Sequence, residues 1–116
     1  MFFPAPDRVL GYGRIMSEEF WDAVAPFMAG DQLREGTIMG TKCARSTSGE
    51  FVAMPYHKGP GLVVKLPRER VVELIEGGTG QSFAPAKKVF KEWVLVDTHA
   101  EEQWKQLLQE SIDFVG

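Results

Sequence analysis

The sequence predicts a mixed α+β domain of order α-β(3)-α-β(2)-α, with a mainly antiparallel sheet and helices packed against it. Three observations carry this. Large apolar residues recur at helical spacing in three separate stretches, short β-branched or alternating runs lie between them, and the joins are rich in glycine, proline and serine. Length and composition agree, since 116 residues with 44% hydrophobic and 25% charged suit a single core and exclude disorder along most of the chain.

Residues Met1 to Met16 carry Pro4, Pro6, Gly11 and Gly13 with little periodicity, which predicts an irregular arm ahead of one domain over 17–116. Ser17 suits a helix N-cap, Glu18 and Glu19 suit the positive end of the helix dipole, and Phe20, Trp21, Val24, Phe27 and Met28 follow at helical spacing. Pro26 lies inside that pattern, where it lacks an amide donor and crowds the preceding turn, so the helix is expected to kink or stop near Ala25.

From Thr37 to Tyr56 two strand-like runs flank the turn formers Ser46-Thr47-Ser48-Gly49, which predicts a hairpin. After His57-Lys58-Gly59-Pro60, the run Gly61 to Leu66 reads as a central strand. Pro67 stands where a first helical residue belongs, Val71, Leu74 and Ile75 share a face, and Gly77-Gly78 supplies a left-handed stop. A weak strand around Phe83 and a stronger one from Glu92 to Val96 follow. Thr98 and Glu101 then form a capping box for a last helix carrying Trp104, Leu107, Leu108, Ile112 and Val115.

Thirteen basic against sixteen acidic side chains give a net charge of -3, which argues against a general affinity for nucleic acid. It leaves room for a local patch, and Lys87, Lys88 and Lys91, joined by Arg68 and Arg70, are the candidate phosphate contacts. The sole cysteine, Cys43, excludes an intramolecular disulfide and fits a reducing cytoplasm. The first residues have neither a basic leader nor a long apolar run, so neither a signal peptide nor a membrane anchor is expected.

Candidate chemistry is sparse. Cys43 would need a base such as His57 across the hairpin to act as a nucleophile, and a free cysteine on a strand is more commonly a small buried hydrophobe. Cys43, His57, Asp97 and His99 are scattered without a ligand spacing, so no metal and no cofactor are expected. Gly77-Gly78-Thr79-Gly80 follows a helix rather than preceding one, which makes it a cap and not a phosphate cradle. Trp93 is read as a core aromatic in preference to a ligand platform. No catalytic constellation emerges. Large apolar groups are in excess at one end, and Phe2, Phe3, Phe20, Trp21, Phe27 and Met28 are therefore expected to form an interface, for self-association or a protein partner, unless the arm folds back over the first helix.

Four strings extend this reading: Gly36-Thr37-Ile38-Met39-Gly40, Leu62-Val63-Val64-Lys65-Leu66-Pro67 running into Arg68-Glu69-Arg70-Val71, Phe83-Ala84-Pro85, and Lys91-Glu92-Trp93-Val94-Leu95-Val96. With the element order, the chain resembles the TfoX N-terminal-like and MmcQ/YjbR-like small bacterial domains from about the first helix onward. The resemblance implies a secretion-chaperone-like fold, helices on a curved antiparallel sheet, and supplies no catalytic residues. It also implies a regulatory or protein-interaction role, the TfoX group being associated with competence genes; the alternative is weak DNA binding, a label the YjbR-like group carries. Duplex DNA binding through the lysine cluster is expected to be weak and steeply salt-dependent, and to vanish when Lys87, Lys88 and Lys91 are all changed to Ala. Anisotropy titrations at several salt concentrations check this, and a salt-insensitive nanomolar affinity surviving the triple change would refute it.

Overall fold

Two runs, Leu62-Val63-Val64 and Val94-Leu95-Val96, are buried at every position, as strands covered on both faces must be. They set the centre of the fold. The structure, a computed structural model, describes residues 12–38, 40–56, 61–84, 89–97 and 100–115, with only the backbone for 12–17. Strands β1 (Leu33–Ile38), β2 (Thr41–Ser46), β3 (Phe51–Pro55), β4 (Leu62–Lys65), β5 (Gln81–Ser82) and β6 (Trp93–Val96) form one sheet, and α1 (Tyr12–Ala29), α2 (Arg68–Glu76) and α3 (Glu101–Val115) are the helices among the described residues. Every pairing is antiparallel, in spatial order β1-β2-β3-β4-β6-β5.

The α+β class holds, with one strand more than expected, giving α-β(4)-α-β(2)-α. The additional strand is β1. It is a sheet edge whose only fully buried residue is Leu33, while Arg34, Glu35 and Thr37 are exposed, so it carries no apolar alternation to betray it. Gly36, Thr37 and Ile38 accordingly end a strand instead of opening one. Gly40 sits at φ +77° in the turn joining β1 to β2, a backbone shape that glycine adopts at least cost. The ladder of β2 with β3 has an irregularity between Ala44 and Arg45.

Helix α1 departs from expectation at both ends. It begins at Tyr12, within the expected arm, so Ser17 lies inside the helix and does not cap it; residues 1–11 are outside the described residues. It also continues through Pro26 to Ala29. Pro26, Ala25 and Asp22 are all exposed, so the backbone bond that proline cannot make is lost on the solvent side, where the carbonyl is open to water. Beyond it, Phe27 and Met28 pack against the core and hold the last turn.

The sheet has two apolar faces because residue parity alternates. Leu62, Val64, Val94 and Val96 face the helices and meet Phe20, Ala23 and Val24 of α1, Val71 and Leu74 of α2, and Trp104, Leu107 and Leu108 of α3. Cys43, Val63 and Leu95 point the other way and join Phe51, Met54 and Phe83, with Phe90 and Trp93 packed alongside. Trp93 stacks on Phe51 at 4.3 Å and on Phe83 at 5.7 Å, and meets Phe90 edge-on at 4.8 Å. It is half-buried within its own protein's rings, in keeping with a core role.

Local signals set the remaining boundaries. Pro67 caps α2 from outside, one place before the first helical residue, and accepts a bond from the Val71 amide through its carbonyl. The helix stops at Gly77, with Gly78 at φ +81° turning the chain and Thr79 and Gly80 both donating to the Leu74 carbonyl. The weak strand expected around Phe83 is the two-residue β5, with Phe83 just past it in the second-face cluster. On α3, buried Ser111 donates from Oγ to the Val52 carbonyl at 3.3 Å, tying the helix to β3. The expected cap at Thr98 lies outside the described residues.

Leu108 is fully buried between α3 and the sheet. Leu108→Asp places an unpaired charge there and is expected to cost about 3–5 kcal/mol. A thermal or urea melt checks it, and a wild-type midpoint in the variant would refute it.

Candidate functional site

The start of α2 is fixed by Pro67 and its orientation by Val71 and Leu74, which are buried against the sheet. Val72, one residue round the helix from Val71, is consequently turned outward and is 45% exposed. The chain from Val89 to Trp93 runs opposite. It is pinned by the Phe90 amide donating to the Phe83 carbonyl, the Trp93 amide to the Phe90 carbonyl and the Leu66 amide to the Glu92 carbonyl, at 2.8–3.1 Å. Val89 is 52% exposed on this side.

Between them lies a groove of about 260 Å³. Val71, Val72 and Ile75 form one wall and Val89, Phe90 and Trp93 the other. Ser82 contributes, and two exposed cations, Arg68 from the first turn of α2 and Lys91 from the opposite wall, also line it. A more open depression of about 290 Å³ shares Phe90, Lys91 and Trp93 and adds Lys65 and Glu92. The arrangement is an apolar trough flanked by positive charge. It can cover an apolar side chain and hold an anion beside it.

Of the expected basic cluster, Arg68 and Lys91 thus come together. Arg70 does not join them. Its guanidinium is turned to α3, where Nε meets Glu110 at 2.9 Å and Nη2 meets the same carboxylate at 3.2 Å, while Nη1 contacts Glu73 at 3.1 Å. These bonds to Glu110, and then Glu73, hold its pKa above the ordinary arginine value and engage three of its nitrogens within the fold. Lys87 and Lys88 lie outside the described residues.

The expected aromatic interface divides in the same way. Phe20 is fully buried and contacts Trp21 edge-to-face at 4.8 Å, so it belongs to the core and cannot offer itself to a partner. The expectation underestimated the cover, because α3 packs on α1 as well as on the sheet. Trp21, Phe27 and Met28 are half-buried against the same core, and Phe2 and Phe3 lie outside the described residues. The exposed apolar residues that matter, Val72 and Val89, went unnoticed in sequence. The available signal was phase: Val72 falls off the Val71-Leu74-Ile75 stripe, and Val89 follows two lysines in a stretch with no helical period.

Cys43 is buried in the second-face cluster, and burial raises its thiol pKa while Arg45 pulls it partly back down. A protonated, enclosed thiol is a poor nucleophile. Arg45 is committed to backbone carbonyls, Gly49 through Nη1 and Thr37 through Nη2, each at 2.7 Å. His57 and His99 lie outside the described residues, and Asp97 accepts a bond from Gln81 Nε2 at 2.6 Å. Among the described residues, no group of three or more His, Cys, Asp or Glu side chains is placed to hold a metal ion, and no helix is long and apolar enough to cross a membrane.

Arg70→Ala is expected to lower stability by about 0.5–1 kcal/mol, the scale of a partly exposed ion pair, and to leave any binding at the groove unchanged. Urea denaturation and a binding titration check the two halves, and lost binding at unchanged stability would show the guanidinium to be free for ligands. No family model, curated protein or solved structure matches this chain.

Proposed function

We propose that this chain is a noncatalytic regulatory domain of the TfoX N-terminal-like/YjbR-like type, acting by docking a protein partner in the groove between α2 and the Val89 to Trp93 wall. One observation carries the reading. Among the described residues three large apolar side chains are exposed, Val72, Val89 and Phe114, and the first two face the same groove from opposite walls. Covering the exposed half of each valine is worth about 1 kcal/mol. The wall behind them is preformed by packing, Phe90 and Trp93 being held in the stack with Phe51 and Phe83.

A second reading, weak binding of DNA, draws support from Arg68 and Lys91 lining one groove. Arg70, held by two carboxylates, subtracts from it. The double variant Val72→Asp/Val89→Asp separates the readings. In pull-downs from a native lysate treated with nuclease, the wild type is expected to retain a protein that the variant loses, with both melting alike. In a parallel lysate left undigested, retention of nucleic acid alone, indifferent to the variant, would refute docking and favour the second reading.

A further inference from the structure

The groove's charge and size point to the kind of segment it takes. We infer that it binds an acidic stretch of a partner protein that places one large apolar side chain between Val72 and Val89 and a carboxylate against Arg68 or Lys91. This rests on the docking reading above.

Size comes first. At about 260 Å³ the groove has room for a single anchor side chain of a longer segment, which can run on into the adjoining depression. Charge comes second. Arg70 is neutralised by Glu110 and Glu73, whereas among the described residues neither Arg68 nor Lys91 takes part in an ion pair. Among the described residues no carboxylate lines the groove itself, and Glu92 appears only in the adjoining depression, where Lys65 adds another cation. In a chain with a net charge of -3, two unpartnered cations beside an apolar trough are a local reversal of sign, complementary to acid next to an apolar group.

Nucleic acid fits this place less well. Besides Arg68, Lys91 and Ser82 the lining is mostly aliphatic, with Phe90 and Trp93 its aromatics, and a base would need an open aromatic face. Both rings are half-buried and engaged in the stack, Trp93 with Phe51, Phe83 and Phe90, and Phe90 with Phe83.

The test uses the full chain and three labelled peptides: a leucine flanked by aspartates, the same leucine flanked by lysines, and the aspartate peptide with serine for leucine. By anisotropy, the aspartate-leucine peptide is expected to bind more tightly than the lysine one by about fivefold for each cation engaged, an advantage that shrinks with added salt. Arg68→Glu/Lys91→Glu, two exposed changes whose folding a melt confirms, is expected to reverse the order. Equal binding of the aspartate and lysine peptides would overturn the acidic partner while leaving apolar docking standing. Serine and leucine peptides bound alike would overturn both. A wild-type dimer in sedimentation that Val72→Asp dissociates would make a second copy the occupant, and magnetisation transfer between Phe2 or Phe3 and Val89 would make it the chain's own arm; either overturns the inference.

Discussion

The pairing of β4 with β6 is the constraint on which the rest of the molecule depends. Val64 opposes Val94 and Val63 opposes Leu95, so each rung of this central ladder sends one apolar pair toward the helices and the next toward the aromatic stack. A register slip of one residue would exchange the two faces and mismatch both layers at once. Because both sides are buried, neither layer can be rearranged without the other.

The layers are unequal in kind. On the helical side α1 and α3 cover the sheet from β1 to β4, and α2 covers its β6 end. On the other side the described cover is thin and comes largely from aromatic side chains at the end of the sheet, Phe83, Phe90 and Trp93. The groove lies where these arrangements meet, with a helix for one wall and the edge of the stack for the other. Its apolar lining follows from the fold's need to close the β5 end, while its two cations serve no internal pairing among the described residues.

Much of this was legible. Val71, Leu74 and Gly78 announced α2 and its stop, and Trp104, Leu107 and Leu108 announced the last helix, because those signals are local periodicity and capping. The misses share a cause: they depend on neighbours remote in sequence. Pro26 is tolerated because its side of α1 faces water, and β1 exists because β2 supplies its bonds, neither of which the short stretch itself records. At the site, Arg68 and Lys91 line one groove, but Arg70, two residues from Arg68, is held by Glu110 on a helix forty residues away. Charge is visible in sequence; whether it is already spent is not.

The sheet order carries a consequence for assembly of the nascent chain. β1 to β4 are consecutive in the chain and adjacent in the sheet, but the outer edge of β4 has no partner until β6 is made, after α2 and β5. Until then Leu62, Val63 and Val64 form an exposed apolar edge of the kind that recruits other chains. The part of the helical face of β3 and β4 that α3 covers stays bare longer still, since α3 follows every strand in the chain. The N-terminal half therefore cannot be finished by itself, and the interval before the last strand and helix arrive is when a newly made molecule is most vulnerable to sticking to its neighbours.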